Sequence, residues 1–321
     1  MKIIFFGSDD FALAHLDAIM ASDHHVMACV TQPDRAKGRG MKVAESPIKV
    51  KARECVVPCF QPENIKDKSL AKILSSFEAD VFVVVAYGQI LPSEILNIPK
   101  KLCVNVHGSL LPQYRGAAPI NWAVINGDKE TGITIIKMSA TLDGGAMIAK
   151  EKLSIESRET APELRARMRT LGCKLLIKVL DQIADDKIES VAQNDREATR
   201  APKLTKELGA IDWKLPAECI DHLVRGLLPW PAAYTFVGGK MLKILEAEIV
   251  ERKGAPQEIG CIVEIKKDGF LVGCGQDALF VKRVHLEAAN PMAAKDFLAG
   301  HKVVSELSES NHKLNVGFRF E

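Results

Sequence analysis

Residues 104–120 read VNVHGSLLPQYRGAAPI, and the chemistry of the chain starts there. An apolar run (Leu102, Val104, Val106) carries Asn105 and His107 and then breaks at Gly108. Residues i and i+2 of a strand project to one side, so this amide and this imidazole should sit side by side. They are either two satisfied core polar groups or the working end of an active site. A second stretch, SATLDGGAM (139–147), sets Asp143 before Gly144 and Gly145, a pair that lets a loop fold back and aim the carboxylate at a sheet edge. An amide donor, an imidazole and a carboxylate fit acyl transfer better than hydride or phosphoryl transfer. Asn donates to a developing oxyanion, His moves a proton near neutral pH, and Asp orients the His. Nucleophilic catalysis has little support, because there is no GxSxG elbow and Ser109 lacks its flanking pattern.

Those residues need a frame. KIIFFG (2–7), HVMACVT (25–31), DVFVVVA (80–86) and LCVNVHG (102–108) read as strands, the third apolar throughout as in a central parallel strand. Helices are expected at 11–21, 46–54 (Ser46 as cap, Pro47 first), 118–126 and about 160–186. TGITIIKM (131–138) and AMIAKEKL (146–153) should form paired strands. This alternation predicts an α/β domain with an open, mostly parallel, Rossmann-like sheet and helices on both faces. Asn105 and His107 then lie at a strand's carboxyl end, where ligands bind in such sheets. Residues 187–212 are polar and aperiodic and read as a linker. After a helix at about 216–226, short alternating segments separated by glycines predict a small, OB-like β-barrel of five or six strands. The expected organisation is a domain over 1–187, a linker over 188–208 and a C-terminal domain over 209–321.

Several classes are disfavoured. Dinucleotide binding wants GxGxxG, but Gly7 stands alone and Ser8-Asp9-Asp10 sets carboxylates where phosphate would sit. Gly7 reads instead as a strand-to-helix turn with Ser8 or Asp9 as cap, and no P-loop occurs. The eight cysteines form no CxxC pair, so reduced thiols in a cytoplasmic protein with no metal are expected. Met1-Lys2 leads straight into a strand-like run and no apolar stretch approaches a membrane span, so neither a signal peptide nor membrane attachment is expected. The net charge of +2 hides a local excess: seven bases against two acids between Asp34 and Arg53.

The chain resembles the folate-dependent formyltransferases, whose shared Asn-x-His-x-Ser-Leu-Leu-Pro core matches NVHGSLLP (105–112). FFGSDDFA (5–12), VTQPDRAKGRG (30–40), SPIKV (46–50), FQPEN (60–64), VVVAYGQILP (84–92 with its flank), TGITI (131–135), LDGGAM (142–147), IDW (211–213) and PWPAAY (229–234) point to the tRNA-modifying branch. The resemblance implies transfer of the formyl group of 10-formyltetrahydrofolate to the α-amino group of methionine esterified to initiator tRNA. It implies Asn105, His107 and Asp143 as the catalytic trio. Ser109, Leu110, Leu111 and Pro112 would bind folate, with Ala86, Tyr87 and Gly88 lining that pocket through backbone groups. The family's LDTGDM stands here as LDGGAM, which keeps Asp143 and replaces the second acid by Ala146. Neither a metal nor a covalent enzyme intermediate is implied, and a monomer is expected.

On that resemblance, Arg39, Lys37 and Lys42 are expected to grip the acceptor stem, with Gly38 and Gly40 supplying mobility. The region from Gly209 onward carries 14 Lys and Arg against 15 Asp and Glu, less basic than an RNA-binding domain leads one to expect. Lys240, Lys243, Lys282, Arg283 and Lys302 are the candidates for a basic face. A transferase acting on a small amine, a formyl-folate hydrolase and a silent folate- or RNA-binding module are the rivals.

Overall fold

VFVVV at Val81–Val85 is buried along its whole length, as a strand covered on both faces must be. It belongs to a seven-stranded sheet in the computed structural model, which describes residues 1–37, 42–252, 258–301 and 318–320. In chain order the elements are β1 (Lys2–Gly7), α1 (Asp10–Met20), β2 (His25–Val30), β3 (Arg35–Lys37), β4 (Lys42–Ala44), α2 (Pro47–Glu54), β5 (Cys59–Phe60), α3 (Lys68–Ser75), β6 (Val81–Val85), α4 (Ser93–Leu96) and β7 (Leu102–His107). They continue with β8 (Arg115–Gly116), α5 (Pro119–Ile125), β9 (Glu130–Lys137), β10 (Met147–Ser154), α6 (Ala161–Ala184) and β11 (Arg200–Ala201).

The sheet order is β10-β9-β7-β6-β1-β2-β5. All neighbours from β7 to β5 are parallel, and β9 runs antiparallel to both β7 and β10. The open, mostly parallel sheet expected from the sequence is present. Asp9 caps α1, its Oδ1 accepting the Ala12 N–H at 3.0 Å. Ser46 occupies the cap position of α2, but its hydroxyl is turned to Thr31 Oγ1 at 2.6 Å instead.

Two compact units share the chain. One comprises 1–120, 130–154 and 164–202; the other comprises 121–129, 155–163 and 203–321. The second unit therefore takes two short pieces from the first half. Asn121 Nδ2 donates to Gly226 O at 2.7 Å, and Arg158 reaches the buried Asp221, which also pairs with Arg225 at 2.8 Å.

In that unit α7 (Ala217–Gly226) precedes β12 (Ala233–Val237), β13 (Lys240–Val250), β14 (Ile262–Lys266), β15 (Gly269–Gly273), β16 (Ala278–Leu286), β17 (Met292–Ala293) and α8 (Ala294–His301). The strands form an antiparallel sheet in the order β12-β13-β16-β15-β14, with β17 added to β16. Gly238 and Gly239 make the β12–β13 turn with φ of +55° and +71°, the geometry that a two-residue hairpin requires of glycine or asparagine. One core gathers Trp213, Phe270, Phe297 and Phe320, and Trp213 stacks on Phe320 at 5.8 Å. Among the described residues no helix is long and apolar enough to cross a membrane.

Candidate active site

Asn105 sits in mid-sheet, opposite Val84 of β6 and Ile136 of β9. Pairing on both sides fixes its backbone, while its side chain stays half-buried. Among the described residues its carboxamide has no hydrogen-bond partner. His107, the last residue of β7, is 5% exposed, and its Nε2 lies 2.9 Å from the Tyr114 carbonyl oxygen. A carbonyl only accepts, so Nε2 carries the proton and Nδ1 is the nitrogen left to exchange one. Nδ1 lies 3.7 Å from Asp143 Oδ1. That gap is too long for a direct hydrogen bond, and it leaves both atoms as acceptors on one side of the site.

Asp143 reaches this place from the loop between β9 and β10. The loop leaves beside Cys103, where Met138 N–H donates to Cys103 O at 2.8 Å. Asp143 adopts φ +50°, and the Gly116 N–H donates to its Oδ2 at 2.9 Å. A Cβ on Gly145 would stand 1.8 Å from the Lys137 carbonyl oxygen, so the reversal admits only glycine there. Ala146, at the position of the missing acid, accepts the Lys137 N–H through its carbonyl at 2.8 Å.

The expected folate-lining residues fall into two kinds. Ala86 and Gly88 are exposed with φ of +44° and +84°, and they flank a buried Tyr87. The Tyr87 carbonyl accepts from Ser8 Oγ and Gln32 Nε2, both at 3.1 Å, while its ring packs edge-on against Phe6. Its hydroxyl has no partner among the described residues, and burial pushes the phenol up to about 12. Leu110 is half-buried. Ser109 and Leu111 are fully buried. Ser109 Oγ donates to Gln113 O at 2.6 Å, Thr134 Oγ1 donates to Ser109 O at 2.7 Å, and Leu111 N–H donates to Thr134 Oγ1 at 3.1 Å. Pro112 follows a cis peptide bond.

Of the basic stretch, Arg39 lies outside the described residues; Lys37 and Lys42 form the last backbone pair of the β3–β4 hairpin. Asp34 anchors the hairpin's base, accepting from Lys49 at 2.5 Å, Gln61 at 2.8 Å and the Ser46 N–H at 3.2 Å. Those bonds, Lys49's first, hold its carboxyl below the usual range. In the second unit Lys243 stands between Tyr234 and His285. Lys282 pairs with Glu248 and Arg283 lies opposite Glu246, so two of the five candidate bases face acids. Lys240 is exposed, and Lys302 lies outside the described residues. Among the described residues no three His, Cys, Asp or Glu side chains converge as a metal set.

Sequence reading left out the groups that hold the trio. Tyr114 presents its carbonyl to His107 while its N–H donates to Thr199 Oγ1 at 2.8 Å. Gln193 donates to the carbonyls of Asp143 and Gly145. A backbone carbonyl has no sequence signature, and Thr199 and Gln193 lie in the stretch read as a linker. Arg115 was visible inside the quoted motif but had no assigned task.

A Rossmann-like sheet carrying Asn105 and His107 on β7, with Asp143 3.7 Å from His107, is followed by an antiparallel C-terminal unit, and both halves match formyl-transferring enzymes. The profile described as Formyl transferase matches residues 1–180, and that described as Formyl transferase, C-terminal domain, matches residues 203–302. Over 304 residues the chain is 43% identical to methionyl-tRNA formyltransferase of Alkaliphilus oremlandii, covering 94% of this chain and 97% of that protein. It is 45% identical over 304 residues to the same enzyme of Caldanaerobacter subterraneus subsp. tengcongensis, covering 94% and 98%. The chain belongs to the methionyl-tRNA formyltransferase family. Among solved structures, WlaRD, a sugar 3N-formyl transferase, superposes with a TM-score of 0.65 at 16% identity over 90% of this chain and 99% of that one. HypX from Aquifex aeolicus, in complex with tetrahydrofolic acid, gives 0.65 at 15% identity over 99% of this chain and 50% of that one. Both share the fold.

Proposed function

We propose that this chain transfers the formyl group of 10-formyltetrahydrofolate to the α-amino group of methionine carried by initiator tRNA, with Asn105, His107 and Asp143 as its catalytic residues. The observation that carries this reading is a half-buried amide, without a side-chain partner among the described residues, two residues before a histidine whose Nδ1 lies 3.7 Å from a carboxylate. When bound, 10-formyltetrahydrofolate supplies the formyl carbon and a nitrogen leaving group.

Asn105 donates to the formyl oxygen as negative charge grows there, from a backbone that two neighbouring strands hold fixed. The entering amine has two acceptors across the gap, His107 Nδ1 and Asp143 Oδ1. As the new N–C bond forms, this pair takes the amine's proton; as the old C–N10 bond breaks, His107 returns a proton to N10. Each turnover leaves the pair in its starting state. Asp143 keeps Oδ1 on the substrate side because Gly116 occupies Oδ2.

The exposed backbones at Ala86 and Gly88 and the half-buried Leu110 suit a folate wall. Ser109, Leu111 and Pro112 act by shaping the turn beneath it, and Tyr87 pins the neighbouring loop. Arg39, Lys37 and Lys42 are assigned to the acceptor stem on their charge, and for Lys37 and Lys42 on the anchored hairpin that carries them. In this reading the unit of residues 1–120, 130–154 and 164–202 holds the chemistry, and 209–321 contact the tRNA.

The test is His107→Asn in the purified protein. Turnover should fall by about 10²- to 10⁴-fold, with folate affinity by fluorescence titration changed less than about threefold, since the ring's tie is to a backbone carbonyl. Near-normal turnover would remove His107 from the chemistry.

A further inference from the structure

Gln193 stands in the aperiodic stretch after α6, yet each of its hydrogen-bonding positions is used. Its Nε2 donates to Asp143 O at 2.7 Å and to Gly145 O at 2.8 Å. Its Oε1 accepts from Arg115 Nε at 3.0 Å and from Arg115 Nη2 at 2.8 Å. Two donors and two lone pairs are all that a carboxamide has. These contacts span 48 to 78 residues of sequence, so no local turn accounts for them.

The two sides that Gln193 joins are the two ends of one hydrogen bond. Asp143 Oδ2 accepts from the N–H of Gly116, the residue after Arg115. Gln193 therefore ties the loop that carries the carboxylate to the segment that fixes that carboxylate's far oxygen. The surrounding backbone makes the tie rigid. Val191 exchanges two hydrogen bonds with Met147, at 2.8 and 2.9 Å, and Arg200–Ala201 pairs with Arg115–Gly116. Arg115 is itself buried, so its guanidinium needs this acceptor in addition to Asp195, with which it pairs at 2.7 Å.

We propose that Gln193 is a positioning residue for formyl transfer: through the Asp143 and Gly145 carbonyls and the Arg115 guanidinium, it sets the 3.7 Å separation of Asp143 from His107. This rests on the assignment of Asp143 to proton handling. Glutamate has nearly the same shape and keeps the Arg115 contact, but it has no hydrogens to give the two carbonyls. Alanine gives up all four bonds. Displacing a reacting group by about 1 Å costs up to about 100-fold in rate.

The experiment measures kcat and KM for 10-formyltetrahydrofolate and charged tRNA in Gln193→Ala, Gln193→Glu, Asp143→Asn and the Gln193→Ala/Asp143→Asn double variant, with melting temperatures alongside. Both Gln193 variants are expected to lose about 10- to 100-fold in kcat with each KM changed less than about threefold. In the Asp143→Asn background, Gln193→Ala should cost less than about twofold, because the group it positions is already gone. If Asp143→Asn is crippled while both Gln193 variants turn over normally, the positioning proposal is overturned and the role of Asp143 stands. An equal kcat loss with and without the Asp143 carboxylate would also overturn it, as a structural role behaves that way. Normal turnover by Asp143→Asn would overturn the assignment of Asp143, and this proposal with it.

Discussion

Asn105→Ala separates catalysis from stability because of what the amide lacks. A buried donor with an internal partner leaves an orphan when truncated, at about 1–3 kcal/mol. Asn105 is half-buried in β7 and has no partner among the described residues, so its truncation orphans nothing there. The stability change should stay below about 1 kcal/mol, a shift in melting temperature of about 2–4 °C at most for a unit of this size. The catalytic loss is a different matter. A preorganised donor to a developing oxyanion contributes about 2.7–4 kcal/mol, or about 10²–10³ in kcat. Asn105 meets the condition for that magnitude, since pairing with Val84 and Ile136 fixes its backbone before substrate arrives. Single-turnover formylation at saturating 10-formyltetrahydrofolate and charged tRNA isolates the chemical step, with the melting temperature measured in the same buffer. A rate within about threefold of wild type would refute the oxyanion role. A large rise in KM with unchanged kcat would refute it as well, by showing uniform binding instead of transition-state stabilisation.

Two other outcomes follow from the same physical picture. Arg39→Ala should raise the KM for charged tRNA and lower the salt dependence of tRNA binding by about one phosphate contact, while folate affinity is unchanged; equal loss of both would refute the assignment. Burial lowers His15 from its ordinary 6.5 to about 4. A histidine depressed in the folded state contributes stability that is present above pH 6.5 and is lost as pH falls toward 4. A thermal-melt series across that window should show destabilisation of order 3 kcal/mol at most from this site, which His15→Leu should largely abolish.

The regular parts of the fold were legible because burial writes itself into periodicity. The all-apolar run at 81–85 is a central strand, and spacing alone located α6 to within two residues at either end. Asn105 and His107 were visible because period two puts both on one face of β7. What holds them was not. The group on His107 Nε2 is a backbone carbonyl, which any residue at 114 could provide. Residues 191–201 look like a linker because they have no apolar period, yet Val191, Gln193, Thr199, Arg200 and Ala201 all bond to the loops around the site. Such polar contacts cross 44 to 87 residues and have no repeat for a pattern to find. The replacement of an acid by Ala146 stood out in the sequence as a departure. In the structure that residue meets Lys137 through its carbonyl, a bond that does not depend on its side chain.

The most direct measurement follows labelled formyl groups from 10-formyltetrahydrofolate, with the purified protein, into four acceptors: methionyl initiator tRNA, methionyl elongator tRNA, a small amine such as an amino sugar, and water. Formylation of the initiator tRNA, with little or no transfer to the other three, is the predicted result. Preferential formylation of the small amine, or release of free formate without charged tRNA, would contradict the account.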